Sequence, residues 1–347
     1  MLTDFLLTVA VGLLVGTIFR KMKVPGGMMI GSMLGTAVLG IGFGHAYMHP
    51  TAQIAAQVTA GAFIACGVSR EDLRQMKKLG KPALILTGGY FIFNFIAGYL
   101  LFFTSNLDWL TAMFCAVPGG MADTPIIAID MGANGSTVTI LHFSRLIFCL
   151  SLFPAMIAKL TPEVPEDLPQ TEMKKKAAAN KSYVNFALTM LVATVFGLLG
   201  RNLGIPAGGL SFSLIAVIIF KLLCDRAYLP KWVRILAQLL AGTYIGSAMS
   251  YDDVAGITDL ILPVILLSIA YTIACIVIGK ALHKFCGIHP RIAYLTTTPA
   301  GANDMALISA DLGVHSADLV VLQLVRMLVA IIINPQVIHL VWLLFYA

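Results

Sequence analysis

The sequence predicts an all-α polytopic membrane protein with about ten transmembrane helices in two inverted repeats, each containing a discontinuous or re-entrant helix. Its 347 residues are 59% hydrophobic and only 12% charged, too little charge to cover a surface that faces water. Apolar stretches of about 20 residues, long enough to cross roughly 30 Å of hydrocarbon, recur from end to end. Matching residues also recur at one constant separation along the chain.

Ten uninterrupted apolar stretches are predicted to be spans, and two more, 109–131 and 291–312, are apolar but interrupted in the middle. Basic residues follow the first stretch instead of preceding it, which is the reverse of a cleavable signal peptide and indicates a permanent span. The ten spans lie near 2–19, 25–44, 52–68, 82–103, 137–158, 184–200, 207–223, 233–249, 261–279 and 318–345.

The second half of the chain repeats the first in one register. Pro25 pairs with Pro206 (206 − 25 = 181), and the same offset pairs Arg145 with Arg326. A register of this length without gaps indicates an internal duplication. We therefore predict a first repeat over 1–158, a second over 184–347, and a polar linker over 159–183 whose prolines and lysines cannot cross lipid.

Charge patterning predicts that the two copies are inverted. In the first copy, Lys and Arg follow the first and third spans, whereas in the second copy they follow the second and fourth. Cytoplasmic loops carry the excess of Lys and Arg, so equivalent loops should face opposite sides. The linker is then cytoplasmic and both termini are periplasmic. A count of six crossings per copy, with the interrupted segments crossing fully, stays open as an alternative.

Helix breakers interrupt both remaining apolar stretches at equivalent positions. Proline and glycine prevent an unperturbed helix there, and unpaired backbone at membrane depth needs cover from protein or a water-filled cavity. Two such breaks in inverted halves indicate the central site of a transporter. The residues concerned are Pro118, Gly119 and Gly120 in the first copy, and Pro299, Gly301 and Asn303 in the second.

Charged residues surround the breaks, and each would cost about 2.5–3.5 kcal/mol in lipid. They are Asp123, Asp130 and Arg145 in the first copy, and Asp304, Asp311 and Arg326 in the second.

Two interpretations of these charges are open. Asp123 and Asp304 could only cap the half-helices that follow, with each arginine neutralising Asp130 or Asp311. Alternatively, the same groups bind a solute or an ion, and Thr124, His142 and Gln323 line the same cavity. The scattered histidines and single cysteines predict neither a metal site nor a disulfide framework.

The segments from Pro118 to Asp123 and from Pro299 to Asp304, each followed by Asp-x-Gly and an arginine, resemble the duplicated AbrB-type bacterial membrane proteins over essentially the whole chain. Those proteins are labelled regulators or, in places, ammonia monooxygenases, and are unrelated to a small DNA-binding protein of similar name. The resemblance implies the bacterial inner membrane and kinship with sodium/proton-antiporter and bile-acid-transporter folds, with crossed broken helices. It implies no substrate.

A secondary transporter of a small solute, coupled to a proton or cation, is the first expectation. The second is a membrane regulator that affects gene expression indirectly, because the sequence contains no helix-turn-helix, zinc module or soluble domain able to grip DNA. The third, an ammonia monooxygenase, is disfavoured because the histidines do not cluster. We expect the lipid bilayer and an unidentified solute as partners, no cofactor, no enzymatic activity and no direct nucleic-acid contact, and leave a homodimer open.

Overall fold

The computed structural model describes residues 2–24, 26–121, 123–162, 182–224, 226–299, 314 and 316–345, and these form helices joined by turns. The first half contains α1 (Leu2–Lys21), α2 (Gly27–Phe43), α3 (Thr51–Gly67), α4 (Arg70–Lys78), α5 (Gly80–Thr104), α6 (Trp109–Cys115), α7 (Thr124–Asp130) and α8 (Gly135–Leu160). The second half contains α9 (Tyr183–Asn202), α10 (Gly208–Cys224), α11 (Lys231–Ser247), α12 (Tyr251–Ala255), a 3₁₀ turn (Gly256–Leu260), α13 (Ile261–Cys286), α14 (Pro290–Thr297), α15 (Ala317–Ile332) and α16 (Asn334–Phe345).

Among the described residues, six helical stretches are long and apolar enough to cross a membrane. A seventh is added if α3 and α4, which meet at a bend of 73°, count as one span. α2 and α10 are apolar but only 17 residues long. The six are Thr3–Lys21, Gly80–Thr104, Gly135–Leu160, Tyr183–Asn202, Thr258–Cys286 and Asp318–Phe345.

The helices pack into two bundles. The scaffold bundle consists of α1, α2, α3, α9, α10 and α11, and the break bundle consists of α5 to α8 and α13 to α16. In the scaffold bundle, α2 packs on α11 and α10 packs on α3, so the second helix of each half lies against the third helix of the other. The bundles meet where α7 contacts α3, α8 contacts α11 and α10 contacts α15.

Glycines allow the close approach of helices in the scaffold bundle. A Cβ added at Gly61 on α3 would lie 2.2 Å from Ser213 Oγ and 2.6 Å from Leu210 O on α10. A Cβ at Gly242, the position equivalent to Gly61, would lie 2.1 Å from Ser32 Oγ on α2. Small residues let helix backbones approach in this way when apolar burial alone cannot drive association.

Local signals in the sequence set several helix starts. Ser69 and Asp72 form a reciprocal capping box at α4, and Ser250 and Asp253 exchange the same pair of hydrogen bonds at α12. Such caps satisfy amide groups that have no partner in the first helical turn. α10 begins just after Ala207, which is buried and has a left-handed φ of 55°.

We predict that Gly61→Ala lowers the stability of the protein by about 1–3 kcal/mol, because the added methyl overpacks the contact between α3 and α10. Gly88→Ala is the matched control, since a Cβ at Gly88 on α5 would meet nothing within 4 Å. The thermal unfolding midpoint of detergent-solubilised protein measures the difference. Equal midpoints for the two variants would contradict the proposed close packing.

Candidate functional site

The first break separates α6 from α7 inside the break bundle. α6 begins after Asp108, whose carboxylate accepts a hydrogen bond of 3.0 Å from the Thr111 amide, and ends at Cys115. Helix resumes at Thr124, with proline in the first turn of α7. α7 packs on α8 and also reaches α3 of the scaffold bundle, so the break lies beside the boundary between the two bundles.

Arg145 on α8 holds the first break. One terminal nitrogen, Nη1, donates to Val117 O at 2.8 Å, and the other, Nη2, donates to Gly119 O at 2.7 Å. The side chain is 5% exposed, so these bonds form away from water. The last carbonyls of a helix lack partners within it and carry the negative end of its dipole. The guanidinium therefore satisfies both the hydrogen bonds and the charge at this break.

Two more side chains bind neighbouring carbonyls of the first break. His142 Nε2 lies 3.1 Å from Phe114 O, and the Tyr271 hydroxyl donates to Ala116 O at 2.8 Å. Tyr271 comes from α13, in the second half of the chain, and its ring lies 5.3 Å from the centre of the Arg145 guanidinium. The stacking adds a cation–π contact to the hydrogen bonds.

The second break follows α14 and is held in the same way. Gln323 Nε2 donates to Leu295 O at 3.1 Å and to Thr296 O at 2.9 Å, and Arg326 Nη1 donates to Thr298 O at 2.6 Å. The Tyr90 hydroxyl donates to Thr297 O. Arg326 stacks over the Tyr90 ring at 5.6 Å.

The tyrosines cross between the halves. Each break receives an arginine from its own half and a tyrosine from the other half. These four side chains form the framework that holds the breaks, and the tyrosines come from α5 and α13, which pack on each other. Neither tyrosine is among the site residues predicted from the sequence. Tyr90 and Tyr271 do occupy equivalent positions of the repeat (271 − 90 = 181). A tyrosine in an apolar stretch, however, does not indicate a functional site as a charged residue does.

The glycines of the first break make room for polar side chains. A Cβ at Gly120 would lie 2.5 Å from Asp123 Oδ2, and a Cβ at Gly119 would lie 2.2 Å from Thr124 Oγ1. Asp123 occupies the N-cap position of α7, but its side chain makes no capping hydrogen bond. The capping interpretation is therefore wrong for Asp123, whose carboxylate folds back over the break.

Asp130 lies apart from the break arginine. It is exposed at the end of α7, and its electrostatic neighbours are Gln57 on α3, Arg201 on α9 and the Ala207 amide. The interpretation in which Arg145 neutralises Asp130 is therefore wrong, because the guanidinium is engaged by break carbonyls. The spacing of seven residues carries Asp130 two helical turns beyond Asp123, out to the end of the half-helix.

Of the predicted site residues, Pro118, Gly119, Gly120, Asp123 and Arg145 come together at the first break. Pro299, which is buried, and Arg326 lie at the second. Gly301, Asn303, Asp304 and Asp311 lie outside the described residues.

Comparison with known proteins identifies the family to which the chain belongs. One family model, described as "Transition state regulatory protein AbrB", matches residues 1–161 and again residues 156–342. The chain belongs to the AbrB family. The AbrB-type resemblance predicted from the paired break segments is thereby confirmed.

Two relatives of this AbrB family member are similar over most of its length. A protein of Escherichia coli strain K12 named "Putative regulator AbrB" is 24% identical over 322 residues, which cover 92% of this chain and 91% of the relative. A protein of Bacillus subtilis strain 168 named "Uncharacterized protein YhjN" is 24% identical over 255 residues, covering 69% of this chain and 65% of the relative. Neither name indicates an enzyme.

We predict that Tyr271→Phe loosens the first break while leaving the helices in place. The change leaves the Ala116 carbonyl without its hydroxyl partner, which costs about 1–3 kcal/mol for a buried group. Tyr99→Phe on α5 is the control, since the Tyr99 ring packs against Phe103 and Trp109. Hydrogen exchange of residues 116–121 should rise in Tyr271→Phe alone, and protection as in the unmodified protein would remove the tyrosine from the framework.

Proposed function

We propose that this protein is a secondary transporter of a small solute, coupled to a proton or cation. The observation that carries the proposal is the pair of helix breaks, each held by an arginine and by a tyrosine of the other half. Paired discontinuous helices are typical of transporters, which bind solute at the breaks and rock one bundle against another. The scaffold and break bundles supply two such bodies.

The proposed topology has ten spans in two inverted repeats, 1–158 and 184–347, joined by the linker 159–183. A contact between the halves supports the inversion. Lys221, at the end of the second helix of its half, donates to Cys66 O at 2.6 Å and to Val68 O at 2.7 Å, at the end of the third helix of the other half. If both halves ran the same way, these two ends would lie on opposite faces of the bilayer.

Further observations support the same topology. Asn134 Nδ2, at the start of α8, donates to Asp253 Oδ1 at 2.7 Å, just after α11. With inverted halves, both positions fall on the outer face. The two successive matches of one family model, to 1–161 and 156–342, support the duplication. The linker is then cytoplasmic, the termini are periplasmic and the protein lies in the bacterial inner membrane.

Asp123 is the group we assign to the coupling ion or solute. Its carboxylate lies over Gly120 without a cap bond, and Arg234 on α11 of the scaffold bundle acts on it electrostatically. Movement of one bundle relative to the other would therefore change the electrostatic environment of the Asp123 carboxylate. Arg145 and Arg326 donate hydrogen bonds from their guanidinium groups to carbonyls at the breaks. Neither arginine can therefore bind an anion with both terminal nitrogens. The site proposed from the sequence comprises Pro118, Gly119, Gly120, Asp123, Asp130, Arg145, Pro299, Gly301, Asn303, Asp304, Asp311 and Arg326.

The second candidate function is regulation, which the family description and the name of the Escherichia coli relative favour. The described residues are membrane-like helices with no separate soluble unit. A regulatory effect would then follow from moving or sensing an effector at the membrane. Specific binding of promoter DNA by the purified protein would favour direct regulation and overturn this reading.

We predict that Asp123→Asn abolishes coupled flux. The amide keeps the shape of the carboxylate but can neither carry the negative charge nor release a proton. Everted membrane vesicles with an imposed pH gradient and a fluorescent pH dye should reveal a solute, from a panel of small metabolites, whose addition dissipates the gradient. Flux of that solute should fall about a hundredfold or more in the variant, since a positioned proton-transfer group typically contributes a factor of about 10²–10⁴.

Asp259→Asn serves as the control for this substitution. Asp259 is exposed in the 3₁₀ turn, far along the chain from the break, so its loss should leave flux unchanged. Flux that survives in Asp123→Asn, with both variants present in the membrane at equal levels, would exclude Asp123 from the mechanism.

The topology is tested by labelling single cysteines from one side of the membrane. Lys78→Cys, Lys176→Cys and Lys284→Cys, each made in a chain without its native cysteines, should all react only with reagents that reach the cytoplasm. Cysteines added at the two termini should react from the other face. Labelling of positions 78 and 176 from different faces would contradict the inverted arrangement.

A further inference from the structure

The helix α4 connects the two bundles. It follows α3 of the scaffold bundle after a bend of 73° and precedes α5 of the break bundle. It packs on α5 and α15, and Arg70 Nη2 ties its start to Leu222 O of α10 at 2.5 Å. A helix bent by 73° away from a membrane span runs nearly parallel to the membrane surface. Any movement between the bundles must therefore move α4.

The two sides of α4 differ in character. Leu73 and Met76 are half-buried, and Met76 packs against the apolar core. Besides Arg70, four cations are exposed on α4 and at the start of α5, and we call these four the basic connector surface: Arg74, Lys77, Lys78 and Lys81. The acidic residues Glu71 and Asp72 lie in the first turn, where Asp72 is occupied by the capping box. The positive charge is therefore concentrated toward the junction with α5.

Exposed apolar residues continue directly from the basic connector surface. Leu84, one turn after Lys81, is 73% exposed, and Ile92 and Ile96 farther along α5 are 61% and 58% exposed. A row of cations next to an exposed apolar helix face matches a molecule with an anionic head and hydrocarbon tails. An acidic soluble protein would match the cations but not the adjoining apolar face.

The equivalent element of the second half has the opposite charge. The offset of 181 places residues 251–259 opposite α4 (70 + 181 = 251), and this segment contains Asp252, Asp253 and Asp259 but no lysine or arginine. It likewise connects the scaffold bundle, through α11, to the break bundle, through α13. In the proposed topology α4 lies on the cytoplasmic side and residues 251–259 lie on the outer side, which matches the excess of Lys and Arg on cytoplasmic loops. The cations on α4 therefore lie beside the leaflet whose anionic lipids attract basic segments.

We propose that the basic connector surface binds the headgroups of anionic phospholipids, with the acyl chains lying along α5. Clusters of Lys and Arg beside a span bind anionic lipid, at about 1 kcal/mol for each cation near the surface. Because α4 joins the bundles, the bound headgroup holds the connector in place. Anionic lipid content then controls the ease with which the bundles move.

The test is the thermal midpoint of the purified full-length protein in neutral detergent, titrated with dioleoyl phosphatidylglycerol or dioleoyl phosphatidylcholine. Phosphatidylglycerol should raise the midpoint and phosphatidylcholine should not. In the triple variant Lys77→Gln, Lys78→Gln and Lys81→Gln, the phosphatidylglycerol concentration that gives half of the full shift should rise about tenfold or more. The shift should also weaken in high salt, which screens exposed charges.

A matched variant removes three other exposed cations, Arg20→Gln, Lys21→Gln and Lys23→Gln, at the end of α1. This variant should respond to phosphatidylglycerol like the unmodified protein, as should Lys77→Arg, Lys78→Arg and Lys81→Arg, which keeps the charge if the glutamine variant fails to fold. Equal responses in both glutamine variants, or equal effects of the two lipids, would overturn the proposal. Stabilisation by soluble polyglutamate or glycerol phosphate instead of the lipid would also overturn it.

Discussion

Backbone carbonyls at the two helix breaks impose the constraint on which the rest of the structure depends. A break inside an apolar stretch frees polar groups that lipid cannot satisfy. Here the donors come from the protein, with Arg145, His142 and Tyr271 around the first break and Arg326, Gln323 and Tyr90 around the second. The arginines that first suggest a ligand site are thus structural members of the breaks, and their charge offsets the negative ends of the half-helices.

The exchange of tyrosines links the two halves energetically. The hydroxyl groups of Tyr90 and Tyr271 each donate to a carbonyl at the break in the other half of the chain. Their rings stack on Arg326 and Arg145, respectively. A shift of either break relative to the other half therefore disturbs a hydrogen bond between the halves. In the scaffold bundle, by contrast, contacts depend on glycines and leave little freedom. The molecule thus combines a tightly packed scaffold bundle with a second bundle in which each break is hydrogen-bonded to a tyrosine of the other half.

Relations within the sequence predicted much of this arrangement. Proline and glycine positions predicted the first break, and the paired segments predicted the family. The types of residue present did not indicate which groups would be hydrogen-bonded to each other. An arginine near an aspartate predicts an ion pair, but Arg145 binds Val117 O and Gly119 O, two carbonyls that the break leaves without helical partners. Asp130 lies at the far end of α7, near Ala207.

The sequence by itself determined the apolar character of the helices, the approximate ends of several of them, the recurrence of residues at an offset of 181 and the position of the first break, since these depend on local propensity and on the spacing of residues along one chain. Tertiary structure decided which side chains meet. The crossing of Tyr90 and Tyr271, the fold of Asp123 over Gly120 and the seating of Asp130 beside α10 depend on how helices from distant segments pack. The offset of 181 pairs Tyr90 with Tyr271, but the carbonyls that their hydroxyl groups reach are set by the packing of helices in space.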